Sequence, residues 1–259
     1  KTGLFVNVDN ADDLAEKITT LLSNHELARS IAKNGNAMVR ERFLWSSIAE
    51  KYKNIFEIVF SAPRIVIATP LFPPDIGGPA TYVYTLREDL WKQKILPKIA
   101  YFGDVRHFLK AARHLIYFLQ IYGKARGRNT IFAQDPVSVG FPAMLAAKLL
   151  RKKFLLKVVG DYAWEQWQNG RWQTVNSESE NKFIGPEEFQ HLRFDWKTEL
   201  RRNVEHLVAR SADKIIVPSN YLKILVLLWG VQGVMYVVPN AFDISSFVIG
   251  SILSGGFDG

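Results

Sequence analysis

The chain has 259 residues, 48% of them hydrophobic and 22% charged, enough to bury one large core or two modest ones. Its formal net charge of +8 favours anionic partners in general, whether phosphates, lipid headgroups or nucleic acid, without choosing among them. The absence of cysteine excludes disulfides and thiolate metal sites, and apolar runs such as Ile224 to Trp229 fall far short of the roughly 20 residues that span a bilayer.

Residues 1–60 read as mostly helical. Asn10 is placed to cap a helix carrying Leu14, Ile18, Leu21 and Leu22 on one face, and a second apolar set follows at Leu27, Ile31 and Met38. Ser47 and Glu50 have capping-box spacing, which predicts a third helix from Ser47 with Ile48, Tyr52, Ile55, Phe56 and Val59 as its stripe. Such stripes need a body to pack on, so this helix is expected against the domain that follows it.

The character changes at Ala62-Pro63. The β-branched run at 64–69 reads as a buried parallel strand, and it ends in a Pro- and Gly-rich loop at 70–79. Further strands are expected near 98–102, 130–134, 154–159, 214–218 and 235–238, with helices near 80–91, 106–122, 138–151 and 191–211. Repeated strand-helix units imply an α/β, Rossmann-like, doubly wound and mostly parallel sheet with extra N-terminal helices. The predicted organisation is 1–60 helical, 61–243 Rossmann-like, and 244–259 a short Gly- and Ser-rich remainder.

The loop at 70–82 carries the clearest chemistry. Gly77 and Gly78 let the backbone approach a ligand, and the helix after them offers free N–H groups and a positive dipole end to an anion such as a diphosphate. A Gly-Gly pair also serves turns for steric reasons alone. Its position strengthens the ligand reading, because ligands of open α/β sheets bind beyond the carboxyl ends of the strands.

At this point the sequence resembles the GT-B glycosyltransferases of family 4. The resemblance rests on the 70–82 loop, Gln-Asp-Pro-Val-Ser-Val-Gly-Phe-Pro-Ala (134–143), Val-Gly-Asp-Tyr-Ala-Trp-Glu (159–165), Ala-Asp-Lys-Ile-Ile-Val-Pro-Ser-Asn-Tyr-Leu-Lys (212–223) and Val-Pro-Asn-Ala-Phe-Asp (238–243), in the family's order. It implies the acceptor-side N-terminal domain of a retaining transferase that moves a sugar from a nucleoside-diphosphate sugar to a carbohydrate or lipid-linked acceptor, as in cell-envelope or polysaccharide biosynthesis. It implies no cofactor. Gly77 and Gly78 would meet the diphosphate, and Asp161 would orient or deprotonate the acceptor hydroxyl.

Residues 1–60 resemble the other end of that family. Thr-Gly-Leu-Phe-Val (2–6), the helix from Ala11 to Leu22 and the Arg42-Phe43-Leu44-Trp45 turn look like the close of its C-terminal domain, while Ser251-Ile-Leu-Ser and Gly256-Phe-Asp-Gly look like an abbreviated opening of that domain. Three explanations of this inverted order stay open: the end of one transferase joined to the start of another, a permuted chain, or a sequence joined from incomplete pieces. In the family an Arg/Lys pair and a Glu-x7-Glu motif hold the nucleotide, and the segment that carries them is missing. Glu180 and Glu188 have the spacing without the context, since Ile184-Gly185-Pro186-Glu187 lacks the Gly-Phe-Gly setting, and they read as solvated loop carboxylates.

Other candidates stand beside plainer readings. Asp161 equally suits a turn aspartate that binds backbone N–H groups. Tyr162, Trp164 and Trp167 suit a stacking wall for a sugar ring, though aromatics at this spacing more often belong to a core. Arg106, Lys110, Arg113, Tyr117, Gln120 and Lys124 recur opposite Phe108, Leu109, Leu115, Ile116 and Leu119, which predicts a polar, basic helix face: solvated, or laid against anionic lipid as a peripheral membrane contact. The five histidines show no metal-ligand spacing, no Asp-x-Asp points to a metal-dependent GT-A transferase, and no Walker lysine follows the Gly-Gly loop. With neither a recognition helix nor aromatic-strand signature, no nucleic-acid partner is expected. No N-terminal stretch has the pattern of a leader, so the expected location is cytoplasmic, with peripheral contact at the inner face of a membrane as a variant. The competing class is a catalytically silent acceptor-binding or membrane-surface module.

Overall fold

The computed structural model describes residues 1–174 and 184–241, with the backbone alone at 110–111 and 171–174. Glu180 and residues 242–259, which include Asp243, Ser251 and Gly256, lie outside the described residues. Two compact units divide the chain, one of residues 1–48 with 240–259 and the other of residues 49–239.

In the first unit, α1 (Ala11–Ser23) begins as expected, with the Asn10 side chain accepting the Asp13 N–H at 2.9 Å. Asn24 caps α2 (His25–Arg42) in the same way, accepting the Leu27 N–H at 2.9 Å. Among the described residues neither helix has a buried side chain, and Leu14, Ile18 and Leu22 are exposed. The third helix, α3 (Trp45–Val59), starts before Ser47. Its first turn is closed by the Ile48 N–H on the Leu44 carbonyl, so Ser47 is already helical and the expected capping box does not form.

The second unit is built on a six-stranded sheet. Its strands are β1 (Ile65–Thr69), β2 (Lys98–Tyr101), β3 (Thr130–Ala133), β4 (Lys153–Lys157), β5 (Lys214–Val217) and β6 (Val234–Val237). They lie in the order β2-β1-β3-β4-β5-β6, and every neighbouring pair is parallel. Between them run α4 (Gly78–Lys92), α5 (Lys110–Ala125), α6 (Gly140–Leu150), α7 (Tyr162–Thr174), α8 (Pro186–His191), α9 (Trp196–Arg210) and α10 (Asn220–Leu228), with a 3₁₀ turn at Phe102–Val105. This is the doubly wound, Rossmann-like α/β class read from the sequence. All six strands are parallel because each neighbour is reached by a helical crossover, never by a hairpin.

Strand residues alternate between two buried faces. Val66, Ala68, Ile131, Ala133, Phe154, Leu156, Ile215 and Val217 join side chains of α5, α6, α9 and α10 in one core. On the opposite face Phe132 meets Tyr52 and Phe56 of α3 at ring-centroid distances of 5.6 and 5.5 Å. The stripe of α3 from Tyr52 onward therefore packs on the sheet, as its pattern requires. Strand order reverses between β1 and β3, and the region beyond their carboxyl ends is the switch point, the crevice where open sheets of this type bind ligands.

Candidate functional site

The segment after β1 leaves the sheet at that carboxyl edge. Gly77 is the residue before α4 and has φ 144° and ψ 161°, a conformation open essentially to glycine alone. Among the described residues no side chain caps α4 and a Cβ built at Gly78 would meet nothing within 4 Å, while Pro79 occupies the first turn. An open helix N-terminus with free N–H groups results, at the sheet edge where an anion would be received. The loop is braced from below. Asp75 accepts the Tyr101 hydroxyl and pairs with Arg106 at 2.9 Å, while Arg106 also donates to the Pro70 carbonyl at 2.9 Å. These contacts, the Tyr101 hydrogen bond first, hold the Asp75 pKa below its ordinary value.

Beneath α4 three buried polar residues end neighbouring strands. Thr69 closes β1, Gln134 follows β3 with its N–H on the Ala68 carbonyl, and Lys157 closes β4. They stand one step beyond the mutually paired Ala68, Ala133 and Leu156, so by alternation they face the side covered by α3 and α4. Thr69 donates to the Leu71 carbonyl at 2.7 Å. The Lys157 Nζ lies 3.1 Å from the centroid of the Tyr82 ring of α4. The ring face favours an ammonium, but burial outweighs it and holds the Lys157 pKa well below its ordinary value. Gln134 is 7% exposed, and among the described residues its Nε2 has no hydrogen-bond partner. Leaving such a donor unmade costs about 1–3 kcal/mol.

Asp135 shapes the adjoining turn. Its Oδ1 accepts the N–H groups of Val137 and Ser138 at 2.9 and 2.7 Å, and burial, the largest influence, raises its pKa. The turn brings α6 so close that a Cβ at Gly140 would lie 2.4 Å from the Asp135 carbonyl oxygen, so only glycine opens α6 here.

At the end of β4, Asp161 is 4% exposed and both its oxygens are engaged. Oδ1 accepts the Trp164 N–H at 2.8 Å, and Oδ2 accepts Gln190 Nε2 at 2.7 Å. Glu205, on α9, accepts the N–H groups of Tyr162 and Ala163 at 3.0 and 3.2 Å. Burial raises the pKa of Asp161 and drives that of Glu205 well up, with the Asp161 charge adding to the effect on Glu205. The two carboxyl groups thus occupy the N-terminus of α7. Of the aromatic trio, Trp167 packs on Phe189 and Phe194 at 5.5 and 4.6 Å, the Trp164 indole N–H donates to the Ile184 carbonyl at 2.9 Å, and Tyr162 is half-buried. Glu188 is exposed in the first turn of α8.

The basic face expected over 106–124 is corrected by the structure. Arg106 precedes α5 and serves the 70–79 loop. Within α5 the buried stripe is Tyr117, Ile121 and Ala125, with the Tyr117 hydroxyl on the Ala100 carbonyl at 2.8 Å. Half-buried Lys124 donates to the Ile99 carbonyl at 2.7 Å, Gln120 donates to Asp104 at 2.6 Å, and Arg113 stands 5.7 Å over the Phe102 ring. The Lys110 side chain is outside those described. Leu115 and Leu119, expected inside, are 61% and 56% exposed. Tyrosine and lysine bury an apolar body while their polar tip finds a carbonyl, which a polar/apolar count of the helix misreads.

Gln134, Lys157 and Glu205 were not named as site residues from the sequence, although Gln134 opens the 134–143 segment. A signal existed for two of them: Lys157 is a lone charge in the apolar run 154–159, and Gln134 is the first polar residue after the buried run 131–133. Among the described residues no group of three or more histidine or carboxylate side chains is placed to hold a metal, and no helix is long and apolar enough to cross a membrane.

No protein-family model matches this sequence, and no curated protein does. Among solved structures, a Listeria monocytogenes protein described as a UDP-N-acetylglucosamine 2-epimerase is similar at 12% identity and a TM-score of 0.40, over 67% of this chain and 44% of that one. The chain spans less than half the length of that protein, and a likeness of this size carries no conclusion about activity.

Proposed function

We propose that residues 61–243 are the acceptor-side domain of a retaining glycosyltransferase of the family 4 type, which moves a sugar from a nucleoside-diphosphate sugar to a carbohydrate or lipid-linked acceptor. The observation that carries this reading is the open N-terminus of α4 behind Gly77, at the switch point of the sheet. Gly77 and Gly78 would approach the diphosphate through backbone N–H groups. Asp161, its proton affinity raised by burial, would act on the acceptor hydroxyl after exchanging its bond to Gln190 for one to substrate.

Departure of a diphosphate places charge that needs preorganised cationic donors, and losing one such donor typically costs about 2.7 to 4 kcal/mol in the barrier. The family's Arg/Lys pair has no counterpart in the resemblance to this sequence. The chain by itself is therefore expected to bind sugar nucleotides weakly, with dissociation constants beyond about millimolar, and to show no useful transfer. Titration with UDP- and GDP-sugars tests this. A micromolar constant would mean a complete donor site built from other residues, Glu180 and Glu188 first.

A second reading, a membrane-surface module, is favoured by the outward leucines. α5 packs beside α6, and Leu149 of α6 is 68% exposed next to exposed Arg151. Apolar side chains with a neighbouring cation suit an anionic lipid surface. Flotation with phosphatidylglycerol vesicles should be lost in Leu115→Glu/Leu119→Glu if this reading holds.

A further inference from the structure

We propose that Gln134 is the specificity-determining residue of the switch-point crevice, its carboxamide donating to an uncharged oxygen, a sugar hydroxyl, on the ligand. The proposal deepens the reading that the crevice takes a nucleoside-diphosphate sugar and rests on it.

Gln134 follows β3 at the reversal of strand order, between the residues that close β1 and β4. It is more than nine-tenths buried, yet Nε2 meets no acceptor among the described residues. Buried donors in folded proteins are nearly always paired, and one left open is kept against stability. A leucine or methionine of similar volume would fill the place without that penalty. By strand alternation Gln134 belongs to the α4 side of the sheet, at the carboxyl edge from which the 70–77 loop leads to the uncapped α4 N-terminus. The two features divide the work by charge. A helix N-terminus with its dipole suits a diphosphate; a neutral amide in a buried setting suits a neutral oxygen. A site built to hydrogen-bond a hydroxyl rejects ligands that lack it far more strongly than an apolar pocket rejects an extra one, because its own donor is then left unpaired.

The test follows the backbone amides of Gly77 and Gly78 and the side-chain amide of Gln134 by NMR in the full chain, titrated separately with inorganic pyrophosphate and with methyl α-glucoside, mannoside and galactoside. Expected are shifts at Gly77 and Gly78 with pyrophosphate, and shifts of the Gln134 side-chain amide with at least one glycoside but not with pyrophosphate. In Gln134→Leu and Gln134→Met the glycoside affinity should fall about fivefold to tenfold, the worth of one neutral hydrogen bond, while the pyrophosphate response stays within twofold and the thermal midpoint rises. Pyrophosphate shifts without any glycoside response at Gln134 overturn this inference and leave the diphosphate reading standing. Glycoside shifts without a pyrophosphate response do the reverse. A lower thermal midpoint in both variants would mean that the amide holds the fold, and overturns the inference independently of any ligand.

Discussion

At the carboxyl edge of one sheet, α4 and α7 treat their N-termini in opposite ways. The first turn of α7 is filled by the protein's own carboxyl groups, Asp161 on the Trp164 N–H and Glu205 on those of Tyr162 and Ala163. The first turn of α4 has no side-chain cap and is entered through a glycine in a conformation other residues avoid. Both termini present N–H groups and a positive dipole end. At α7 the fold closes the terminus with its own carboxyl groups; at α4 it leaves the terminus open at the switch point, where an anion from outside is the natural occupant.

The comparison breaks most readily at Glu205. Glu205→Ala leaves the Tyr162 and Ala163 N–H groups without acceptors in a buried place and is expected to destabilise the second unit by about 3 kcal/mol. A shift of the urea midpoint measures it, and an unchanged midpoint would mean that α7 does not depend on this closure.

Gly77→Ala comes next. With φ at 144° an alanine is strained by about 1–3 kcal/mol, and relief of the strain would turn the first N–H groups of α4 away from the crevice. Both a lower midpoint and a lost response to pyrophosphate are expected.

The pH dependence sharpens the α7 side. Burial raises the Glu205 pKa above its ordinary value of 4.5, so the folded state holds this proton more firmly than the unfolded chain does. The stability it contributes is present in full below that ordinary value and is lost as pH rises through the raised one. Glu205→Gln removes the titration and keeps one acceptor oxygen. Relative to the parent it should gain stability progressively as pH rises from about 4 towards neutrality, read from denaturant curves across that range. A difference independent of pH would contradict the assigned cause.

The smallest effect on stability and the sharpest on function is expected for Gly78→Asp. Space at this position is open, and a carboxylate in the first turn of α4 is worth about 0.3–1 kcal/mol. The variant would close α4 as Asp161 and Glu205 close α7, so it should be as stable as the parent and blind to diphosphate.

The strands were legible because β-branched runs such as 65–68 and 214–217 admit few other structures when buried on both faces, and their ends fell within a residue or two of expectation. The Gly-Gly loop was legible through its place after β1. Less was readable where side chains have two characters. Tyr117 and Lys124 counted as polar although their stems lie inside, which turned α5 around. α7 escaped notice because Trp164 and Trp167 alternate with Glu165, Gln166 and Gln168 without a clean helical stripe, and two N–H groups of its first turn are held by Glu205, which is distant in sequence. The partnering of Gln134 depends on what strands distant in sequence bring near it, which no local pattern encodes.

The most direct measurement of the central claim is a map of backbone amide shifts on titration of the chain with UDP and GDP. An open α4 terminus predicts that the responding amides are those of Gly77, Gly78 and Ala80, that the amides of Tyr162, Ala163 and Trp164 stay silent, and that the response disappears in Gly78→Asp. Shifts centred on α7, or a Gly78→Asp variant that responds as the parent does, would contradict the account.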